Sequence, residues 1–192
     1  MADLRSGPAS PPSDELRSAE ATLAVLQQAV HGIAADDLSK PTPCSDYDVA
    51  ALTDHLLRSL TALGGAAGAQ ISDPGPDEAV DRRIIAAARP AVDAWHRRGL
   101  DGSITIGGNE LPARMVAGIL SVEFLIHAWD YATAVGRPLD VPDSLADYVL
   151  DVMRRTLTPE ARRQAGFDDP VEVADDAPAL HKLLAFSGRR PN

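Results

Sequence analysis

Three residues of this 192-residue chain carry side chains suited to holding a metal ion: His55, Glu123 and His127. Glu123 and His127 are four positions apart, so in a helix they stand one turn apart on the same side. Around them Val116, Leu120, Glu123, His127, Asp130 and Ala134 recur at steps of three or four, bordered by Ile119, Phe124, Ile126 and Tyr131. That pattern predicts a carboxylate on an apolar helix face, where an uncompensated charge costs several kcal/mol. Three things can compensate it: an ion pair with His127, an arginine from a facing helix, or a metal ion chelated by the pair. A lone E-x-x-x-H arises by chance in many helices, and a plain structural pair is its commoner meaning.

A second helix shifts that weighting. His55 lies at the edge of the stripe Val49, Leu52 and Leu56 and can reach inward. Together the three residues form a His₂Glu set on two core-facing helices. Some catalytic zinc sites use this set and leave a fourth position for water or substrate. Imidazole and carboxylate also suit other divalent cations, so zinc is the first choice rather than the only one. His31, His96 and His181 have no spaced partner of ligand type. Asp130, one turn beyond His127, reads equally as a carboxylate that orients a ligand imidazole and as a plain packing or solvent-facing residue. Cys44 precedes a helix start and could be an activated thiol; the commoner reading is a small buried residue in a tight loop.

The elements that must position these residues are helices. Residues 1–13 read as a disordered lead-in, Ser6 to Ser13 being rich in Ser, Pro and Gly, and 14–192 as one metal-binding domain. A first helix is expected over Asp14 to Ile33, then a loop over Asp36 to Cys44. Ser45 is the expected cap of the second helix, with Asp48 three residues on, and Gly64-Gly65 its end. A third helix is expected over about Pro76 to Arg98, interrupted or bent near Pro90. Gly102 to Asn109 reads as a short extended or hairpin-like insert. The fourth helix opens near Pro112 and runs to Val135, stopped by Gly136 and Pro138. Helices from about Pro142 to Thr156, within Thr158 to Asp176, and from Pro178 to Phe186 complete the chain. The fold class is therefore all-α: a four-helix bundle with a short extended insert and C-terminal helical additions.

Composition narrows the function classes. The net charge is −10 and no large Lys/Arg cluster stands out, which argues against a nucleic-acid partner. The pairs Arg154-Arg155 and Arg162-Arg163 read as solvated helix faces. No stretch approaches the roughly 18 apolar residues of a membrane span. The single cysteine forbids an internal disulfide, and the N-terminus lacks a basic start and apolar segment, so a cytoplasmic location is expected. Neither a nucleophile elbow nor H-E-x-x-H is present, so a hydrolase is disfavoured.

Two stretches resemble the mycothiol-dependent maleylpyruvate isomerase-like proteins of the DinB-like superfamily. One is Pro41-Thr42-Pro43-Cys44-Ser45-Asp46-Tyr47-Asp48-Val49 with Leu52, His55 and Leu56. The other is Glu123-Phe124-Leu125-Ile126-His127-Ala128-Trp129-Asp130 with Ala132 and Gly136-Arg137-Pro138. The ending Leu183-Leu184-Ala185-Phe186-Ser187-Gly188-Arg189 is similar to that of an actinobacterial metal-binding branch. The resemblance implies a DinB-like four-helix bundle whose metal ligands fall on His55, Glu123 and His127. It also implies a thiol such as mycothiol as co-substrate, with transferase or isomerase chemistry in which the thiolate attacks an electrophilic carbon. The chain departs from the pattern in having Tyr47 where Trp is frequent, and in C-terminal additions shorter than those of the isomerase itself. The other readings are a non-enzymatic metal-binding or stress-response protein and a helical interaction module without metal. A homodimer would be unremarkable. Arg58, Arg82, Arg83 and Arg114 are all candidates for a thiol- or acid-binding arginine.

Overall fold

A computed structural model describes residues 10–106, 108–165 and 167–191. The expected lead-in falls mostly outside the described residues, and 10–13 form neither helix nor strand. The elements are α1 (Glu15–Val30), α2 (Val49–Ala66), α3 (Val80–Arg98), β1 (Ser103–Ile106), β2 (Asn109–Pro112), α4 (Ala113–Ala134), α5 (Asp143–Thr156), α6 (Pro159–Ala165) and α7 (Ala179–Phe186). A single 3₁₀ turn covers Ala35–Asp37. The all-α, four-helix-bundle expectation holds: α1 packs on α4 and α3, and α2 packs on α3 and α4, closing a ring of four.

Local chemistry sets the helix ends. Asp14 caps α1 by accepting the Arg17 amide at 2.9 Å. Asp48, not Ser45, caps α2: its Oδ1 accepts the Ala51 amide at 2.8 Å. The reason lies in the preceding loop, where Pro41 bridges to Asp48 and Val49 N–H donates to Lys40 C=O at 3.1 Å. The Thr42 hydroxyl donates to the Tyr47 and Cys44 carbonyls at 2.7 and 3.1 Å. With its polar groups committed to this closed turn, the chain enters the helix only at Val49.

The third helix starts at Val80 rather than Pro76, and it is not interrupted at Pro90. Proline lacks the N–H that would otherwise donate to the Ala86 carbonyl one turn back. Ala86 lies on a partly exposed flank, while Ile84 and Trp95 are fully buried on either side of the proline. The Trp95 indole donates to the Leu63 carbonyl at 3.0 Å and ties α3 to α2.

The fourth helix is the axis of the molecule. It is buried almost all round, not along one stripe, since α1, α2 and α5 all pack on it. Gly118 permits the close approach of α5: a Cβ there would lie 2.9 Å from Val152 Cγ1. Gly136, at φ +68°, ends the helix, and Arg137 donates to the His31 and Gly32 carbonyls at 2.6 and 3.1 Å. The expected insert is a two-stranded antiparallel hairpin with Ser103 opposite Pro112 and Ile106 opposite Asn109.

After α4 the chain folds back over the bundle. Helix α5 packs on α4, and α7 packs on α5 through buried Leu183 and Leu184. Arg162 is not on a solvated face as expected. It is buried, donates to the Asp168 and Phe186 carbonyls at 2.7 and 2.9 Å, and lies over the Phe186 ring. Those two backbone acceptors, supplied from outside α6, are what draw the guanidinium inward. Among the described residues no helix is long and apolar enough to cross a membrane.

Candidate metal centre

Helix α2 brings His55, and α4 brings Glu123 and His127, to one place in the bundle. One ligand atom from each lies within 4.8 Å of the others. His127 Nε2 is 3.6 Å from Glu123 Oε2. The two imidazoles meet edge to face, with ring centroids 5.3 Å apart. Tyr47 stacks on the other side of His55 at 5.0 Å, so the loop before α2 fixes that ring.

His127 is 4% exposed, and its Nδ1 lies 2.9 Å from Asp130 Oδ2. A proton on Nδ1 satisfies that contact and turns the Nε2 lone pair towards Glu123 and His55. Asp130 is fully buried and also receives the Arg189 guanidinium, with Nε 3.2 Å from Oδ1 and Nη2 2.8 Å from Oδ2.

The electrostatics follow from burial and these contacts. Burial opposes the charge on Glu123, but His127, the nearby His55 and the Ser59 hydroxyl outweigh it and hold the carboxyl below its usual range. Burial likewise opposes protonation of His127, yet Asp130 and Glu123 raise it to about 8. For His55 burial dominates, reinforced by His127, and its pKa is lowered. Burial would push Asp130 up; His127 and Arg189 override it and keep it ionised. The site therefore presents one neutral imidazole, one carboxylate, and a second imidazole whose Nε2 proton occupies the space a cation would take.

One atom lacks a partner. Glu123 Oε2 is buried without a hydrogen bond. At 3.6 Å the His127 contact is too long to be one. Tetrahedral coordination with bonds of about 2.0–2.1 Å puts ligand atoms about 3.3–3.4 Å apart. The Glu123–His127 separation is already near that spacing. An orphaned carboxylate oxygen facing two imidazoles is a donor set that fits a divalent cation.

The other candidates lie elsewhere. His31 sits 3.5 Å from Asp81, and His96 2.8 Å from Glu20; His181 is on α7, outside the triad. Arg82 pairs with Glu78, Arg83 with Asp73 and Asp54, and Arg114 with Glu15. Arg58 is exposed one turn beyond His55. Cys44 stands in the closed loop rather than at the helix N-terminus, and burial raises its thiol to about 11, opposite to activation. Asp130 is a packed, hydrogen-bonded neighbour of His127, not a solvent-facing residue.

Arg189 is the site residue that sequence reasoning misses. The arginine sought for Glu123 is instead at Asp130, and it comes from the last turn of the chain rather than from a facing bundle helix. Two signals point to it: Asp130, an acid on a buried helix that needs its own cation, and the Leu183–Arg189 ending, whose resemblance to the family assigns Arg189 no role.

The sequence model of the family described as the mycothiol maleylpyruvate isomerase N-terminal domain matches residues 19–132. That segment includes all three triad residues and Asp130, and ends before Arg189. Two uncharacterized proteins from two strains of Mycobacterium tuberculosis are each 30% identical to the chain over 159 residues, covering 82% of this chain and 87% of theirs. No solved structure matches significantly.

Proposed function

Because this chain belongs to the mycothiol maleylpyruvate isomerase N-terminal domain family, of DinB-like helical fold, we propose that it holds a divalent cation, zinc foremost, on His55, Glu123 and His127 and uses it to activate a low-molecular-weight thiol. The observation that carries the reading is the buried Glu123 Oε2, unpartnered beside two imidazoles. A divalent cation at such a site supplies Lewis acidity that favours thiolate over thiol at neutral pH. The chain's own residues do the rest. Asp130 accepts a hydrogen bond from His127 Nδ1–H and leaves the Nε2 lone pair to face the cation. Tyr47 holds the His55 ring, and burial of Glu123 Oε2 shields that oxygen from water. The reaction class is thiol transfer: a sulfur–carbon bond forms at an electrophilic carbon as an alkene π bond, an epoxide C–O bond or a carbon–halogen bond breaks, and the thiol proton passes to the product carbon or oxygen, or to solvent as the halide leaves. Mycothiol, named in the family's description, is the first thiol to test.

Metal binding without turnover is a second reading. The large cavity of about 560 Å³ between the end of α1 and the start of α3 is lined by Thr53, Asp54 and Arg83, and no triad residue borders it. Elemental analysis of wild type, Glu123→Ala and His127→Ala tests the metal. One equivalent in wild type, absent from both variants, supports the site. No metal in wild type after reconstitution overturns it. Mycothiol consumption by the loaded protein across alkenes, epoxides and halides separates the two readings, and no consumption leaves the second.

A further inference from the structure

Arg189 lies outside the segment matched to the family, yet it ends in the middle of the candidate centre. Its guanidinium is 7% exposed and grips both oxygens of Asp130 as a fork. The oxygen it contacts most closely, Oδ2, is the one that meets His127 Nδ1. A single carboxylate oxygen is thus shared between the tail and the imidazole.

The tail is built to hold this arginine still. Helix α7 ends in a paired turn: Gly188 N–H donates to Ala185 C=O at 3.0 Å, and Arg189 N–H donates to Leu184 C=O at 2.9 Å. Gly188 has φ +88°, and a Cβ there would meet Asp168 backbone oxygen at 2.8 Å. The Phe167 ring lies 5.5 Å from the guanidinium carbon. Four features therefore fix one side chain: the turn, the glycine, the ring under the guanidinium and the fork on Asp130.

We infer that Arg189 is a positioning residue of the metal centre, holding Asp130 so that Asp130 holds His127 in the Nδ1–H tautomer with Nε2 directed at the triad. Without the fork, Asp130 would be a buried carboxylate with one partner, free to turn about its side-chain bonds and carry the imidazole with it. Lysine would supply the charge but not the two-point grip. The inference rests, for its effect on metal, on the proposed cation site; its effect on the imidazole does not.

The test uses full-length wild type, Arg189→Lys, Arg189→Met and the double variant Asp130→Asn/Arg189→Met. The double variant removes both charges of the buried pair, so it separates loss of stability from loss of position. Zinc affinity is read by competition with a chromophoric chelator, stability by thermal unfolding, and the His127 tautomer by ¹⁵N chemical shifts in metal-free protein at about pH 9.5, above the raised pKa of His127, where the ring is neutral. Arg189→Met should lower both zinc affinity and melting temperature. The double variant should regain most of the melting temperature and still bind zinc about 10- to 100-fold more weakly, the usual cost of losing an imidazole's outer partner. Arg189→Lys should fall between, and the Nδ1–H signature of His127 should give way to a mixture in both methionine variants. A folded double variant with wild-type zinc affinity and an unchanged His127 spectrum would overturn the inference. If wild type takes no zinc, the metal reading fails by itself, and the ¹⁵N spectra still decide the positioning role.

Discussion

Arg189 Nη2 and Asp130 Oδ2 lie 2.8 Å apart although the residues are 59 positions apart in the chain. The contact joins the turn after α7 to the C-terminal part of α4, and makes the tail of the chain part of the candidate centre.

The turn that delivers Arg189 is expected to be as important as the arginine. Gly188→Ala puts a Cβ at positive φ and within 2.8 Å of the Asp168 carbonyl oxygen. Strain and crowding together should cost about 1–3 kcal/mol. Chelator competition should show weaker zinc binding than in wild type, although no polar group has been removed.

Protons and metal should compete at His127. In the metal-free protein its pKa is raised to about 8, above the ordinary value of 6.5. The stabilisation from its Asp130 and Glu123 partners is therefore complete below pH 6.5 and is lost as pH rises through about 8. The apparent zinc affinity should show the reverse trend, rising with pH as that proton leaves and flattening above about 8. Calorimetric titrations from pH 6 to 9 check this, and an affinity independent of pH would contradict it.

Cys44 should be slow to react. Burial raises its thiol from 9.0 to about 11, which lowers its thiolate fraction near neutrality by about 100-fold. Iodoacetamide labelling at pH 7.5 should be slower than for an unperturbed thiol by about 10-fold or more, the greater nucleophilicity of the more basic thiolate offsetting part of the loss. Cys44→Ala should leave the metal content unchanged.

Tyr131→Phe should be mild. The Thr53 hydroxyl donates to the Val49 carbonyl at 2.8 Å, so in the 3.0 Å contact between them Tyr131 is the donor. Removing the phenol leaves Thr53 with its carbonyl partner. The loss should be about 0.5–1.5 kcal/mol, read by denaturant unfolding, with metal content retained.

Much of the fold and of the triad is legible in residue types and their spacing. Glycine and proline stops place the ends of α4, and the three- and four-residue spacing of Glu123, His127 and Asp130 puts them on one side of it. What spacing conceals is contact at a distance. Ser45 has the look of a cap because the closure of the 41–48 loop through Thr42 and Asp48 cannot be seen from local residue types. Arg162 reads as solvated because its acceptors, the Asp168 and Phe186 carbonyls, are brought to it by the fold. Pro90 reads as an interruption or bend; that the helix runs on past it rests on packing from α1 and α2 that local residue types do not show. Arg189 stays hidden for the same reason.

The triad draws His55 from α2 and its other two members from α4, and Glu123 is 68 residues beyond His55. In the unfolded chain Glu123 and His127 remain neighbours, but His55 is free to wander. A cation on all three would act as a reversible cross-link closing a long loop, strengthening the native state as its free concentration rises. Chelation would then lower resistance to unfolding as well as empty a site, and the seam between α2 and α4 would be the first to loosen.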